Sequence, residues 1–415
     1  MIEPGTAAFW RTSLALFAAG MATFALLYCV QPLMPVFGAA FRIGPASSAL
    51  ALSVTTMPLA LAMLLASAVA DRFGRVPVMV AALLSSALLC GACALAPGFT
   101  ALLGLRALMG ITLSGLPAVA MAYVSEEMSP RAAGLGMGLY IGGSAIGGMT
   151  GRLLAASVAE WAGWRPALAA IAATGLLCGM LLWRFLPPSQ HWARRAFQPG
   201  AILRGFTRPL GNAVVVLLAA EGFLLMGAFV TVYNYVGYRL LAPPYALSQS
   251  AIGLIFVVYL AGVVSSAAMG QLAIRIGRRR VLTGNILLML AGLAVSVTSP
   301  LWAVILSVAM ITAGFFGAHS VASAWVGHTA RGFRAQASAF YLLAYYAGSS
   351  IVGYGMGFVW SAAAWTGLAS ALAVLIGAGL IAARLLPPDS SNLMVGGPHG
   401  APGELAEQIE HPVLP

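Results

Sequence analysis

Glu221 is the residue best placed to do chemistry in this sequence. It lies in Ala219-Ala220-Glu221-Gly222-Phe223-Leu224-Leu225-Met226-Gly227, deep inside a long apolar run. The other nine of the ten acids stand elsewhere. Asp71, Glu126 and Glu127 sit at the ends of apolar runs, Glu160 lies between two runs, and Glu3, Asp389, Glu404, Glu407 and Glu410 lie in the terminal segments. A low-dielectric setting disfavours the charged carboxylate, so an acid there suits reversible proton transfer. The competing reading is a protonated glutamic acid that hydrogen-bonds a neighbouring helix for packing alone. At helical spacing Glu221 shares a face with Leu225, Ala228, Val232 and Tyr235.

Two further titratable or charged side chains fall inside apolar runs. Arg106, in Leu105-Arg106-Ala107-Leu108-Met109-Gly110, is a charge where charge is costly and usually functional. It also stands close enough to the start of its run to snorkel to the interface. His319, in Gly317-Ala318-His319-Ser320, has the one side chain type whose ordinary pKa lies near 6.5. It is either a proton switch or a hydrogen-bonded packing residue. Tyr28, Gln31, Tyr235, Tyr341 and Tyr345 are polar enough to line a cavity, although aromatic stripes on helices are more often packing. No nucleotide-binding loop, paired catalytic carboxylates or metal-ligand spacing accompanies them. The expectation is therefore no catalysis, cofactor or metal, and an ion gradient rather than ATP as energy source.

The elements that must position these residues are set by composition. Hydrophobic residues make up 61% of the 415-residue chain and charged residues 7%, against roughly 25% charged in soluble domains. The sequence is that of a membrane protein. All 21 basic residues are arginine, which excludes Schiff-base or lysine-nucleophile chemistry. The net charge of +11 is better explained by arginines on cytoplasmic loops than by nucleic acid. Cys29, Cys90, Cys93 and Cys178 all lie in apolar runs and read as buried small hydrophobes, Cys90-Gly-Ala-Cys93 included.

A spanning helix needs about 20 mostly apolar residues. Twelve segments qualify: 12–37, 46–70, 76–96, 98–124, 131–158, 164–186, 211–241, 251–274, 281–298, 301–326, 335–360 and 365–386. The first continues past Cys29 and reads as a spanning helix, with no cleavable signal pattern. The expected organisation is a six-helix half over 1–186, a basic cytoplasmic linker over 187–210, a second six-helix half over 211–386 and a disordered cytoplasmic tail over 387–415. With the N-terminus inside, all but five of the 21 arginines fall on the cytoplasmic side. Arg42, Arg152, Arg165 and Arg239 are placed at or near the outer surface and Arg106 within a helix, which puts both termini in the cytoplasm.

The two halves repeat one another. Asp71-Arg72-Phe73-Gly74-Arg75 between the second and third runs matches Ile274-Arg275-Ile276-Gly277-Arg278 at an offset of 203 residues, preceded in the second copy by Gly270. Gly143-Ser144 matches Gly348-Ser349 at an offset of 205. The fifth run carries Gly143, Gly147, Gly148 and Gly151, and Gly143-x-x-x-Gly147-x-x-x-Gly151 is a face on which helix backbones can approach closely.

These features resemble the major facilitator superfamily, which has internal repeats and a central site between two halves. Its loop signature G-x-L-x-D-R-x-G-R-[RK] is matched by Ser67-Ala68-Val69-Ala70-Asp71-Arg72-Phe73-Gly74-Arg75-Val76, which keeps the Asp-Arg-x-Gly-Arg core but has Ser67 and Val76 at its ends. The second copy keeps Gly270 and Leu272 and has Ile274 at the acid position. Arg106 and Gly110 match an R-x-x-x-G signature, while Met109 departs from the usual glutamine. Gly143-Ser144-Ala145-Ile146-Gly147-Gly148 resembles the antiporter signature G-P-x-x-G-G with serine for proline.

The resemblance covers residues from about 10 to 386 and points to the bacterial inner-membrane drug and sugar efflux branch. It implies an all-α fold of twelve transmembrane helices in two pseudo-symmetric halves. The first turn would lock the cytoplasmic ends together in the outward-open state. Arg106 would tune a proton-carrying carboxylate, with Glu221 as the carrier and His319 assisting. The resemblance thus implies a monomeric proton-coupled exporter of a small organic solute, multi-pass in the bacterial inner membrane. The alternatives are an importer or uniporter, or a membrane sensor that keeps the fold without transporting.

Overall fold

The computed structural model describes residues 1–191, 207–330 and 332–388. Most of the expected linker, nearly all of the expected tail, and Arg194, Arg195, Arg204 and Arg331 lie outside these residues.

The described chain is helical, with a single β-bridge that ties Ile2 to Met128. Among the described residues, ten helices are long and apolar enough to cross a membrane. Helix α14 (Arg334–Leu385) is two spans in one, because Ala363 and Ala364 leave helical geometry between them. Helix α7 (Pro130–Ala162) is 33 residues long, and its many glycines, Arg131, Arg152 and Glu160 make it less apolar than the other spans. Counted this way, the described residues form twelve spans.

Breaks inside spans follow backbone chemistry. The first span is α1 (Ala7–Tyr28) and α2 (Met34–Phe41), separated at residues 29–33. Pro32 there has no N–H to continue the helix, and Pro35 fits the first turn of the next. The second and third spans are α3 (Pro45–Phe73) and α4 (Arg75–Ala94). The fourth is α5 (Phe99–Leu113) plus α6 (Pro117–Glu127), broken just before Pro117. After α7 the sixth span is α8 (Trp164–Phe185). The second half begins with α9 (Ala213–Leu241), capped by Asn212 Oδ1, which accepts from the N–H groups of Val214 and Val215. It continues with α10 (Gln249–Ile255) and α11 (Tyr259–Ile276), joined through a short 3₁₀ turn, then α12 (Arg278–Ser296), α13 (Leu301–Thr329) and α14.

The duplication is visible in the turns and in the packing. Gly74 and Gly277 stand between α3 and α4 and between α11 and α12, with φ of 98° and 99°, and their N–H groups donate to Ala70 and Ala273. Only glycine adopts such a φ without strain. In the first half α1 packs on α7, α3 on α5 and α4 on α8; in the second, α9 packs on the first limb of α14, α11 on α13 and α12 on α14. The halves meet along α3 against α14 and α7 against α10.

The close α1–α7 contact needs glycine. A Cβ on Gly143, Gly147 or Gly151 would come within 2.3 Å of Phe17 O, 2.0 Å of Met21 O and 2.5 Å of Ala25 Cα. Gly348 makes the equivalent approach to Phe223 O, at 2.0 Å. Gly148 faces elsewhere: a Cβ there would meet Arg152 Nη1 at 3.2 Å.

Hydrogen bonds that join the halves cluster toward the end of the bundle away from Ala7. Gln31 Nε2 donates to Asn234 Oδ1 at 2.8 Å, Ser53 Oγ donates to Ser350 O at 3.0 Å, and Thr56 and Ser350 hydroxyls lie 2.6 Å apart. Ser250 N–H donates to Glu160 at 2.6 Å, and Gln249 donates to Pro32 O. This end is closed.

Candidate functional site

Four groups of polar side chains are buried in or beside the spans. The first surrounds Glu221. Its side chain is fully buried on α9; among the described residues no side chain hydrogen-bonds its carboxyl oxygens, and the backbone N–H of Ala383, on the second limb of α14, is a weak donor toward them. It faces the second limb of α14, where a Cβ on Gly379 would lie 3.0 Å from Oε2. The neighbouring Gly222 packs on the ring of Tyr341, at 3.0 Å from its built Cβ to Cε2. Tyr341 Oη in turn lies 2.8 Å from His319 Nδ1. His319 also stacks on Phe315 and sits 4.7 Å, ring to ring, from Tyr345. Tyr341 is therefore the shared neighbour of the acid and the imidazole, and these three residues from α9, α13 and α14 form one polar group within the second half.

Arg106 is not part of it. The resemblance implied a carboxylate beside this arginine; among the described residues none pairs with it. The guanidinium is fully buried and donates from Nε to Ala51 O at 2.9 Å, from Nη1 to Leu26 O at 2.9 Å and from Nη2 to Leu27 O at 2.8 Å. Leu26 and Leu27 are in the last turn of α1, just before its break, where carbonyls lose their helical partners. Arg106 supplies those partners and fastens α1, α3 and α5 together.

The third group centres on Arg152, which sequence reasoning placed near the outer surface. That assignment is corrected by the structure. Helix α7 continues ten residues past Arg152, to Ala162, or about 15 Å at 1.5 Å per residue. The predicted span ended at 158, and this shortfall cost the residue a turn of depth. Arg152 is fully buried. Its Nε donates to Gln31 Oε1 at 2.6 Å, Nη2 to Tyr259 Oη at 2.9 Å, and Nη1 to Gly148 O. The guanidinium lies 4.5 Å from the ring centre of Tyr28, 4.6 Å from Tyr259, 5.3 Å from Phe256 and 5.8 Å from Tyr233. Gln31, singled out in the sequence, thus joins Arg152 to Asn234. The sequence offered one usable signal: no glycine or proline breaks the stretch from Leu153 to Ala162.

Tyr235 is buried, and its hydroxyl donates to Gly353 O at 2.8 Å, tying α9 to α14. Tyr28 in the first half lies within electrostatic range of Tyr345 and Tyr346 in the second.

The fourth group is the Asp71 turn. Arg75 Nη1 lies 2.8 Å from Asp71 Oδ1, and Nη2 and Nε grip Glu126 at 2.8 and 3.1 Å. Asp71, Arg75 and Glu126 all belong to the first half, so in this state the turn locks α3, α4 and α6 to each other. Arg72 is exposed beside Phe73. In the second copy Ile274 occupies the acid position and is 85% exposed. Arg275, Gly277 and Arg278 keep the turn without that ion pair, and Gly270 lies in open space. Among the described residues no three His, Cys, Asp or Glu side chains gather closely enough to hold a metal ion.

Comparison with known proteins matches this geometry to a family. The model of the Major Facilitator Superfamily matches residues 13–249. The chain is 40% identical over 396 residues to the uncharacterized MFS-type transporter YybF of Bacillus subtilis, covering 94% of this chain and 98% of that protein. It is 42% identical over 375 residues to the inner membrane transport protein YnfM of Escherichia coli, covering 90% of each. The crystal structure of a mutant of the nucleoside transporter NupG superposes with a TM-score of 0.75 at 16% identity, over 90% of this chain and 99% of that one. At that identity the likeness concerns the fold.

Proposed function

Since the chain belongs to the major facilitator superfamily, and is therefore a secondary transporter and not an enzyme, we propose that it exports a small organic solute in exchange for protons by alternating access. The observation that carries this reading is Glu221. It is a fully buried carboxyl that, among the described residues, no side chain hydrogen-bonds and no cation pairs with, near a tyrosine whose hydroxyl reaches a histidine at 2.8 Å. An isolated buried carboxylate is costly unless it is neutralised. Proton uptake removes that cost, and the hydrogen-bonded pair Tyr341–His319 lies beside the acid, where a side-chain movement would let it relay the proton. Arg106 supports this machinery by holding α1, α3 and α5 in place. Export is favoured by the glycine face of α7, which resembles the antiporter signature.

In the same reading the folded halves are 1–186 and 211–386, joined by the basic stretch 187–210 and followed by the tail 387–415. Both termini face the cytoplasm of a bacterial inner membrane, and the protein works as a monomer. The closed end described above is then the outer one. The Asp71 turn, with Arg72, Gly74 and Arg75, and its second copy at Gly270, Arg275, Gly277 and Arg278, close the cytoplasmic end in the opposite state.

The test has two steps. A thermal-shift screen of purified protein against metabolites and drugs, repeated at two pH values, identifies a solute. Flux of that solute is then measured in proteoliposomes under an imposed pH gradient for wild type and Glu221→Gln. The expected outcome is gradient-driven flux in wild type, and in the variant loss of driven flux with solute binding and solute–solute exchange retained. Full gradient-driven flux in Glu221→Gln removes Glu221 from the mechanism.

A further inference from the structure

Arg106 and Arg152 are both fully buried, yet they are satisfied in different ways. Arg106 spends its donors on three main-chain carbonyls that cannot turn away. Arg152 has a single main-chain partner, Gly148 O; its other two are the side chains of Gln31 and Tyr259. Gln31 belongs to the first half and Tyr259 to the second. Among the described residues no carboxylate pairs with Arg152. A guanidinium stays charged in a protein, and a buried charge without a counter-charge is costly. The four surrounding aromatic rings offset part of that cost through their faces and supply no negative charge.

The hydrogen-bond directions fix what is missing. Arginine only donates, so it turns the oxygen of Gln31 toward itself. That leaves the Gln31 amide nitrogen to donate to Asn234 Oδ1. Asn234 must then present its own amide nitrogen to the remaining side, and that nitrogen is buried without a partner. The path from Arg152 through Gln31 to Asn234 ends in a donor. The group that answers a positive charge and a surplus of donors is an acceptor-only anion, and a guanidinium fork pairs with carboxylate through two parallel bonds. One uncompensated cation amid Tyr28, Tyr233, Phe256 and Tyr259 fits a monoanion with a flat or apolar body.

We propose that Arg152 is the docking group for the carboxylate of a small aromatic or apolar monocarboxylic acid, and that the carboxylate displaces Tyr259 and Gln31 from the guanidinium. This rests on the transporter reading above and names the substrate class of the interface between its halves. The bonds displaced include Arg152–Tyr259, and the neighbouring Gln31–Asn234 bond depends on the same amide. Both join the halves at their closed end. Carboxylate binding thus competes with the contacts that keep that end shut.

The test is direct binding to the purified full-length protein, with benzoate, 3-phenylpropionate and cyclohexanecarboxylate as probes and their uncharged amides as controls. Wild type is expected to bind at least one of these carboxylates and to bind its amide about 10- to 100-fold more weakly, the effect of losing a charged hydrogen-bonded pair. Arg152→Gln should lose binding to the same extent, and Arg152→Lys should retain part of it. Tyr259→Phe removes the competing hydroxyl and should tighten binding several-fold, a direction that a merely structural role for Arg152 does not produce. Equal binding of acid and amide overturns the proposal. So does undiminished binding in Arg152→Gln, or no binding of any of these carboxylates to wild type. If the carboxylates bind through Arg152 but no solute crosses the bilayer, the site stands and the transporter reading falls. If a neutral or cationic solute is transported and the carboxylates neither bind nor compete, transport stands and the site falls.

Discussion

Arg106 shows how a charge is kept in an apolar bundle without a counter-ion. Its donors reach the carbonyls of Leu26, Leu27 and Ala51, two of which lie where α1 breaks ahead of Pro32. Replacing the arginine by leucine strands Leu27 O in a dry interior, at a cost of about 1–3 kcal/mol, and leaves Leu26 O with only the weak Cys29 thiol donor, while Ala51 O keeps Thr55. The expected outcome for Arg106→Leu is a large fall in the thermal unfolding temperature of the detergent-solubilised protein. Arg106→Lys should recover a minor part of it, since an ammonium group cannot span three carbonyls on two helices. A variant as stable as wild type refutes the clamp. Glu221 is the opposite case, an acid whose oxygens no side chain among the described residues hydrogen-bonds, and its variants are expected to change coupling more than stability.

At the scale of elements, the glycines of α7 divide by face. Gly143, Gly147 and Gly151 let α1 lie against the α7 backbone, and a Cβ at Gly147 would stand 2.0 Å from Met21 O. Gly138 and Gly142, on the same helix, have nothing within 4 Å of a built Cβ. Gly147→Ala should therefore force the helices apart and destabilise the protein by about 1–3 kcal/mol, as overpacking does. Gly142→Ala should be neutral or slightly stabilising, because alanine favours helix over glycine. Thermal unfolding of the two variants side by side checks this, and equal effects would show that the α1–α7 approach does not depend on glycine. The sequence put all four glycines of Gly143, Gly147, Gly148 and Gly151 on one packing motif. The fold separates Gly148, whose carbonyl accepts from Arg152, because a one-residue step turns a helix by about 100°.

For the molecule as a whole, alternating access requires that the closed end open. Thr56 on α3 and Ser350 on α14 hold it with hydroxyls 2.6 Å apart. With the four native cysteines replaced, Thr56→Cys combined with Ser350→Cys should cross-link under mild oxidation and stop solute flux. Reductant should restore it, and neither single variant should respond. Flux that continues through a completed cross-link would mean that these two helices do not part during transport.

The sequence by itself determined the parts that depend on local chemistry. Apolar run length marked every span, even the join near 361–364 that the helix geometry breaks at Ala363 and Ala364. The repeated Arg-x-Gly-Arg marked both turns, since a φ near 98° admits glycine and few other residues. The isolation of Glu221 in an apolar run was equally legible, because burial of a whole span is a property of its composition. What only the tertiary structure decided is who faces whom. It gave Arg106 to main-chain carbonyls, brought His319 to Glu221 through Tyr341 over about a hundred residues of chain, and drew Arg152 into the interface with Gln31, Asn234 and Tyr259. The physical reason is that hydrophobic patterning fixes how deep a residue lies only to within the uncertainty of a helix end. Partners across helices are fixed by rotation and register, and these are set by packing between segments far apart in the chain.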